Sequence, residues 1–410
     1  MQKRIRIVSI SIVLVILLIG IIVINNNSNN KYSFTQNGIK YALTLDGEKT
    51  TSFPSKGMYK TQVTCAGADG RWLYDDWKLA IENITSDDVT CDIKFETITK
   101  TYLNDYITGL AGTTQGTGQV VTENGYRYEG KNPNNYIWFN NEHWRIIGVF
   151  DSASHGVSGK NLVKIIRADV LDGLAWHKSN TNDWTASSLK SLLNGAYYNA
   201  QDGTSSGYCY GYSTTSIANC DYTKRGIQAG YRGMIANVTW YLGGYSSASA
   251  TAEAFYGYER GTTVYSGRPT STIGYIGLMY PSDYGYSVLS SSCARTTNLG
   301  SYRSATCAGQ SWLYGKGIEW TLMPVSSSSY YVFRLYRDGA VSAYGDAFYG
   351  GGSRPVLYLD ASVYKIDGDG SLNNPYIVGM WWICLAWMAG VSAPRGGDNF
   401  WLSKSSGEFL

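Results

Sequence analysis

The chain has 410 residues, with 34 lysines and arginines against 31 aspartates and glutamates, and its formal net charge is +3. Three of the cations, Lys3, Arg4 and Arg6, precede an apolar N-terminal run, so the rest of the chain is balanced between cations and anions. This balance argues against a nucleic-acid-binding protein, which needs a basic face.

The N-terminal segment predicts a membrane anchor. Ile7 to Ile24 is a run of 18 apolar or small residues without a charge, long enough to cross a bilayer as a helix. No small-residue cleavage site follows the run. We therefore predict a single-pass signal-anchor over residues 1–24, with the basic flank in the cytoplasm and the bulk of the chain extracytoplasmic. The alternative is a buried core helix.

An asparagine-rich linker over residues 25–31 leads to a predicted small all-β module over residues 32–98. The segments KYALTLDG, YKTQVTC and CDIKFETI alternate apolar and polar residues between turn signals, which is typical of strands. Nothing in this module indicates a functional site, so we interpret it as a spacer.

A larger domain is predicted over residues 99–379, beginning with a glycine-rich connector over 99–128. The aromatic and apolar runs between residues 136 and 150 flank Asn140-Asn141 and predict a hairpin. The apolar run at 162–166 predicts a third strand. These strands are expected to form the core of the domain.

Helices are expected at two places in the larger domain. Leucines share one face of residues 187–194, and Gly195 is a suitable end for that helix. A weaker pattern predicts a second helix over 226–242. Residues 243–329 are mostly Gly, Ser, Thr and Tyr, and long irregular segments of this kind tend to be functional loops.

Six of the seven cysteines fall into three local pairs. In an exported chain, nearby pairs of cysteines indicate disulfides. The predicted disulfide residues are Cys65 with Cys91, Cys209 with Cys220, and Cys293 with Cys307. Cys384 is left over, in a tryptophan-rich tail over residues 380–410 to which the sequence assigns no role.

No metal or cofactor site is predicted. The chain has no Cys-x-x-Cys motif and three histidines, a poor set of zinc ligands. The run Asp367-Gly368-Asp369-Gly370 invites a calcium interpretation. A calcium loop of the EF-hand type needs a bidentate glutamate at its twelfth position, and Val378 stands there. We therefore predict a plain turn.

Residues 330–359 carry the strongest functional signal in the chain. Asp338-Gly339 lies between two β-rich runs, which predicts a hairpin. Because side chains alternate along a strand, Phe333 and Leu335 are expected to face inward. The same alternation turns Arg334 and Tyr336 toward solvent.

Aromatic and charged side chains on such a hairpin predict a binding surface. Arginine and tyrosine are enriched at binding hot spots, and antibody binding sites use the same mixture of Tyr, Ser and Gly as residues 196–353. Two alternatives remain open: tyrosine suits strands in general, and the aromatics can cover a second sheet of the same domain. The predicted ligand-binding residues are Tyr330, Arg334, Tyr336, Arg337, Tyr344, Asp346, Phe348 and Tyr349.

No catalytic residue is predicted. A hydrolase needs paired carboxylates or a nucleophile with a base. Asp338, Asp346, Asp360 and Glu319 lie near one another in sequence. The hairpin turn explains Asp338 and a strand end explains Asp360, which leaves Asp346 to contact a ligand.

Four segments resemble a family of uncharacterised exported bacterial domains: WFNNEHWRIIGVF (138–150), WTASSLKSLLN (184–194), GIEWTLMP (317–324) and GGGSRPVLYLD (350–360). Those domains have a C-type-lectin-like core related to the formylglycine-generating-enzyme-like and phage tropism-determinant variable proteins. The resemblance covers about residues 126–379, and the arrangement of the chain is typical of Firmicutes (Gram-positive) surface proteins. It implies a C-type-lectin-like domain.

The chain departs from the active motifs of these related groups. Calcium-dependent lectins combine Glu-Pro-Asn or Gln-Pro-Asp with Trp-Asn-Asp, whereas Asn182-Asp183-Trp184 has those letters in another order. The formylglycine-generating enzymes need a reactive cysteine pair, and Cys293 and Cys307 look structural. In some variable proteins, retroelements diversify surface residues before the closing G-x-R-P motif, and here those positions are 330–349.

The sequence therefore predicts a membrane-tethered, extracytoplasmic α+β protein. It has a C-type-lectin-like domain with irregular Gly/Ser/Tyr-rich loops, preceded by a small all-β module and an N-terminal transmembrane helix. The expected role is non-catalytic, adhesin-like binding of a surface protein or glycan. No cofactor is expected. In one version of this hypothesis, the binding residues are diversified by a retroelement. The alternatives are a cell-envelope enzyme of the formylglycine-generating-like fold and a structural surface protein without a specific ligand.

Overall fold

The computed structural model describes residues 32–57, 59–74, 77–211 and 219–380. Of these residues, 39% lie in strands and 14% in helices, so this part of the chain is mostly β. The predicted class, an α+β C-type-lectin-like domain behind a membrane helix, is therefore wrong for the described residues. None of their helices is long and apolar enough to span a bilayer. The predicted anchor (1–24) and linker (25–31) lie outside the described residues, as does the predicted tail (380–410) except for Met380, which ends a strand.

The N-terminal module is built from seven strands. These are β1 Phe34–Gln36, β2 Ile39–Leu45, β3 Glu48–Thr50, β4 Tyr59–Ala66, β5 Asp69–Leu73, β6 Lys78–Glu82 and β7 Val89–Thr97. The main sheet of the module has the order β1-β2-β7-β4, with β3 on β2, and β5 pairs with β6 as a separate hairpin. Along β4, half-buried and exposed residues alternate, as expected for a strand with one face on the core.

Eighteen strands follow in the described larger domain. They are β8 Thr101–Tyr102, β9 Thr114–Gln115, β10 Thr117–Thr122, β11 Tyr126–Asn132, β12 Tyr136–Phe139, β13 Glu142–Phe150, β14 Leu162–Arg167, β15 Gly173–Ala175, β16 Val238–Tyr241, β17 Ser271–Gly274, β18 Ile276–Gly277, β19 Glu319–Pro324, β20 Tyr331–Leu335, β21 Val341–Asp346, β22 Gly350–Gly352, β23 Val356–Leu359, β24 Val363–Asp367 and β25 Tyr376–Met380.

The α-helices of the described residues are short. They are α1 Leu103–Thr108, α2 Ser152–His155, α3 Ser188–Leu192, α4 Ala229–Arg232, α5 Ala252–Glu259 and α6 Pro281–Ser287. Short 3₁₀ turns lie at Trp184–Ala186, Leu299–Ser301 and Ala308–Gln310, and a π-helical turn at Leu193–Tyr197.

Two sheets form the frame of the larger domain. The first has the order β18-β23-β14-β13-β12-β25-β24-β8, and β11 pairs with β13 and carries β10 and β9. The second has the order β15-β22-β19-β20-β21, so β21 is an edge strand with one side unpaired. The strands predicted over 136–150 and 162–166 are β12, β13 and β14 of the first sheet.

Of the two predicted helices, one forms and the other does not. The helix predicted over 187–194 forms as α3, where the Ser187 side chain accepts a hydrogen bond from the Lys190 amide. The helix predicted over 226–242 does not form as one element, because α4 ends at Arg232 and Val238–Tyr241 is strand β16. Backbone pairing of β16 with β17 here outweighs the local helical pattern.

Separate hydrophobic cores fill the module and the larger domain. In the module, Trp72 packs edge-on against Phe95 with ring centroids 5.0 Å apart. The larger core contains five tryptophans that are almost fully buried: Trp144, Trp176, Trp184, Trp240 and Trp320. The second sheet packs on this core, and β20 and β21 form the hairpin at its edge.

Candidate functional site

The Asp338-Gly339 turn closes the β20–β21 hairpin, as the sequence predicts. The Gly339 amide donates a hydrogen bond to the Tyr336 carbonyl oxygen over 2.9 Å. The Asp338 carboxylate accepts from the Ala340 amide over 3.0 Å. Gly339 has a φ of 90°, and a Cβ there would clash with Ala308, so a residue with a side chain would strain this turn.

A bulge in β21 decides which side chains share a face of the hairpin. Val332 lies opposite Gly345 and Arg334 opposite Ser342, so two steps along β20 match three steps along β21. Strand β20 therefore alternates regularly, and Tyr331 and Arg334 point to opposite faces. Consequently the predicted binding residues do not all share one surface.

The face that carries Tyr331 opens into a groove of about 390 Å³. Four tyrosines line it: Tyr265, Tyr330, Tyr331 and Tyr344. The ring centroids of Tyr330 and Tyr331 lie 4.4 Å apart, and those of Tyr331 and Tyr344 lie 5.7 Å apart with the rings nearly perpendicular. Tyr344 is 72% exposed, so its ring faces solvent. Two predicted binding residues, Tyr330 and Tyr344, are thus brought together.

Serines complete what we call the tyrosine–serine groove. Its hydroxyl-bearing side chains, besides the tyrosines, are Ser246, Ser327, Ser328 and Ser329, and Val325 and Ala343 add small apolar surfaces. None of these lining residues carries a charge. A hydrogen bond with Tyr330 raises the pKa of Tyr331 above its usual value, so its hydroxyl stays neutral at ordinary pH.

Asn182 holds the loop that forms one wall of the groove. Its side-chain nitrogen lies within 3.0 Å of three carbonyl oxygens, those of Val325, Ser328 and Tyr331. Its backbone amide also donates to the Ser329 carbonyl oxygen over 2.9 Å. Asn182 is 1% exposed. Sequence reasoning missed this role, because Asn182 lies more than 140 positions from the loop that it binds.

Arg268 supports the same loop from a second side. Its guanidinium donates to the Thr181 hydroxyl over 2.6 Å and to the Ser329 carbonyl oxygen over 3.2 Å. It also donates to the Asn182 side-chain oxygen over 3.3 Å and lies 4.0 Å from an Asp183 carboxylate oxygen. Arg268 is therefore used in structural contacts and does not line the groove. The sequence carries no local signal for this role.

The other predicted aromatic and arginine residues form two further sets. Arg334 and Arg337 each lie 5.6 Å from the centre of the Tyr336 ring. Burial lowers the pKa of Arg334, and its Nε has no hydrogen-bond partner within the described part of the chain. Phe348 and Tyr349 stack on each other with centroids 4.4 Å apart. These sets border the hairpin but do not line the groove.

The carboxylates considered for catalysis lie in different environments. Asp346 is half-buried at the end of β21, opposite Tyr331. Asp360 follows β23, and its side chain accepts from the amide and the hydroxyl of Ser362. Glu319 is buried and pairs with Arg354 over 2.6 Å. Asp360 and Glu319 are thus used within the fold, and Asp346 remains at the rim of the groove.

A buried charge cluster lies elsewhere in the larger domain. Asp283 is 2.5 Å from the Lys164 ammonium and 3.1 Å from the Arg127 guanidinium, and all three side chains are almost fully buried. Burial opposes ionisation of Asp283, but the two cations prevail and lower the pKa of its carboxyl. Burial lowers the pKa of Lys164 to about 8. These contacts tie β11 and β14 to α6.

Glu259, at the end of α5, belongs to the same buried region. Its carboxylate accepts from the amide and hydroxyl of Ser282 over 2.8 and 2.6 Å, and it pairs with Arg260 over 3.1 Å. Burial raises the pKa of Glu259 to about 7. Groups with shifted pKa values often mark functional sites. This cluster does not line the groove, and its polar contacts join elements of the fold.

The three predicted disulfides are present. The Cα–Cα distances are 4.1 Å for Cys65–Cys91, 6.0 Å for Cys209–Cys220 and 5.0 Å for Cys293–Cys307. Cys384 lies outside the described residues. Three disulfides are compatible with an extracellular protein, because such bonds persist in oxidising environments.

A smaller concavity of about 240 Å³ lies on the module. It is lined by residues of β4 and β7, with Gln62, Thr64, Asp92 and Lys94 among them, and by Tyr32 and the Cys65–Cys91 disulfide. A single aromatic residue thus borders this concavity. The tyrosine–serine groove, with several rings converging on a braced loop, is therefore the stronger candidate for a binding site.

Comparisons of this chain with protein-family models, curated proteins and solved structures found no match. The resemblance to exported lectin-like domains, carried by the four sequence segments, therefore stays a prediction.

Proposed function

We propose that this protein is an extracytoplasmic recognition protein that binds a surface ligand, a protein or a glycan, in the tyrosine–serine groove. The observation that carries this proposal is the groove, where four tyrosine side chains converge beside a serine-rich loop. Its volume of about 390 Å³ lies in the range of small-ligand sites.

The exposure of Tyr344 supports a binding role. A large ring that is 72% exposed on an edge strand loses the benefit of burial in the unbound protein. A partner that covers the ring recovers that free energy. Tyrosine gives rigid contact area with only two rotatable side-chain torsions, so little conformational entropy is lost on binding.

The rigidity of the groove wall also supports a binding role. Asn182 and Arg268 hold residues 325–331 by hydrogen bonds to backbone carbonyl oxygens. A wall that is ordered before the ligand arrives lowers the entropic cost of binding. The disulfides agree with a location outside the cytoplasm, where a surface ligand is met.

An adhesion assay tests this function. Cells that display the full chain are compared with cells that display Tyr344→Ala, and adhesion to a panel of bacterial and animal cells is counted. The matched control is Tyr208→Ala, which removes a tyrosine that is 42% exposed and outside the groove. We expect adhesion to fall about tenfold for Tyr344→Ala and to persist for Tyr208→Ala. Equal adhesion of both variants and the unaltered chain would refute the proposal.

A further inference from the structure

We propose that the ligand of the tyrosine–serine groove is an uncharged carbohydrate, a short neutral oligosaccharide. This inference rests on the proposed function and narrows its ligand to one chemical class. It is argued from the charge, the ring geometry and the hydroxyl groups of the lining residues.

The first argument is the absence of charge in the lining. The lining residues are tyrosines, serines, one valine and one alanine. A phosphate or carboxylate group of a ligand would lose water there without meeting an opposite charge, and would also face the Asp346 carboxylate at the rim, which is costly. The nearby cation, Arg268, is already paired with Asp183 and bound to backbone and side-chain oxygens. A neutral ligand avoids this cost.

The second argument is the presentation of the rings. Tyr344 is 72% exposed, so most of its ring is accessible, and Tyr331 stands nearly perpendicular to it. An aromatic face carries partial negative charge, so it attracts the weakly positive C–H groups on one side of a sugar ring. Two rings at a right angle give a sugar one stacking surface and one lateral wall.

The third argument is the density of hydroxyl groups. A hydroxyl both donates and accepts hydrogen bonds, as does every hydroxyl of a sugar. Ser328 shows this capacity: its oxygen accepts from the amides of Tyr330 and Tyr331 over 3.2 and 3.1 Å and keeps its own hydrogen to donate. Ser246 and Ser327 are exposed at the rim and add two further groups of this kind.

A proline-rich peptide is the main competing ligand, because such peptides dock in aromatic-lined grooves. Proline has no amide hydrogen, so a proline-rich segment offers mostly acceptors. The serine hydroxyls of the groove would then mostly donate hydrogen bonds to the peptide and accept few from it. The composition of the lining therefore favours a sugar over this peptide class.

Binding of the full chain to an oligosaccharide array tests the inference. The neutral probes are oligosaccharides that end in galactose, glucose, mannose or N-acetylglucosamine. The charged probes are the same oligosaccharides extended by a terminal sialic acid, which carries a carboxylate. The third probe is a proline-rich peptide. Affinities of the hits are measured by calorimetry at low and high salt. Tyr344→Ala removes the stacking ring, Tyr344→Phe keeps the ring without its hydroxyl, and Tyr208→Ala is the control.

We expect a neutral oligosaccharide to bind with an affinity that salt does not change, because no charge pair forms. We expect Tyr344→Ala to lower the affinity for this oligosaccharide about tenfold, and Tyr344→Phe to lower it less than about threefold. Preference for the sialylated chains, or peptide binding lost in Tyr344→Ala, would overturn the carbohydrate inference and leave the proposed function standing. Sugar binding unaffected by Tyr344→Ala would overturn the inference by placing the sugar outside the groove. If no probe binds in a way that depends on Tyr344, and adhesion is also unchanged in Tyr344→Ala, both the carbohydrate inference and the proposed function are overturned.

Discussion

The side-chain amide of Asn182 donates a hydrogen bond to the carbonyl oxygen of Tyr331 over 2.9 Å. This contact joins a buried residue far back in the chain to the first residue of β20. Through it, the position of Tyr331 in the groove depends on a residue that does not line the groove. Asn182 is therefore a positioning residue, and its removal should affect the loop before it affects the fold.

We predict that Asn182→Ala loosens residues 325–331 and lowers the free energy of unfolding by about 1–3 kcal/mol, because one buried and two part-buried hydrogen bonds to carbonyl oxygens are lost. Hydrogen exchange of the Val325 and Ser328 amides, with denaturant unfolding, measures both effects. The control is Asn199→Ala, which removes one half-buried bond to the Gly195 carbonyl. Equal exchange rates in the two variants would contradict the prediction.

The second prediction concerns the buried ion pairs. Asp283→Asn leaves Lys164 and Arg127 buried without their anion, so we expect a loss of about 3–5 kcal/mol of stability. Denaturant unfolding midpoints measure it. Asp88→Asn breaks an exposed pair with Lys40 and should leave the midpoint unchanged. An Asp283→Asn midpoint as high as that of the unaltered chain would show that the cluster contributes nothing.

The third prediction is a pH dependence of stability. The folded-state pKa of Glu259, about 7, lies above its ordinary value of 4.5 because the carboxyl is buried. The protonated form is thus favoured by folding, and its contribution is fully present below about pH 4.5 and lost as the pH rises through about 7. We expect this group to make the chain on the order of 2 kcal/mol more stable at pH 5 than at pH 7.5.

Two histidines also titrate between pH 5 and pH 7.5. The contribution of Glu259 is therefore measured as the difference in stability between the unaltered chain and a variant without this carboxyl group. Burial lowers the pKa of His155 and His177, and their contribution runs in the opposite direction, being lost as the pH falls below about 6.5. Unfolding free energies of the unaltered chain and Glu259→Gln are compared from pH 5 to pH 7.5, where both chains share the histidines. A difference that does not vary with pH would show that Glu259 keeps an ordinary pKa.

The fourth prediction uses the two separate cores. Because Cys65–Cys91 joins β4 to β7 within the module, Cys65→Ala with Cys91→Ala should lower the stability of the module by about 2–4 kcal/mol. Amide exchange in residues 325–331 should not change, since those residues pack on the other core. Faster exchange in both places would mean that the two parts unfold together.

Local patterns predicted several features correctly. The Asp338-Gly339 hairpin and the three disulfides depend on residues close in sequence, and strand alternation predicts the burial of Phe333 and Leu335. The second predicted helix does not form, because the structure of that segment depends on residues distant in sequence. Its apolar spacing fits a helix, but β17 lies ready to pair with Val238–Tyr241, and a single sequence does not show which distant strand is available.

What the sequence by itself determined is which residue types stand at the hairpin: tyrosines, arginines and aspartates among small and apolar residues, in a strand pattern that keeps some of them at the surface. The tertiary structure decided which of them meet. The pairing of β20 with β21 brings the Tyr331 ring beside the Tyr344 ring, and Asn182 and Arg268 from distant segments form hydrogen bonds to the wall of the groove. The chemistry of each side chain follows directly from the identity of the residue. A groove, in contrast, is formed by contacts between distant segments, and their positions depend on the packing of the whole core.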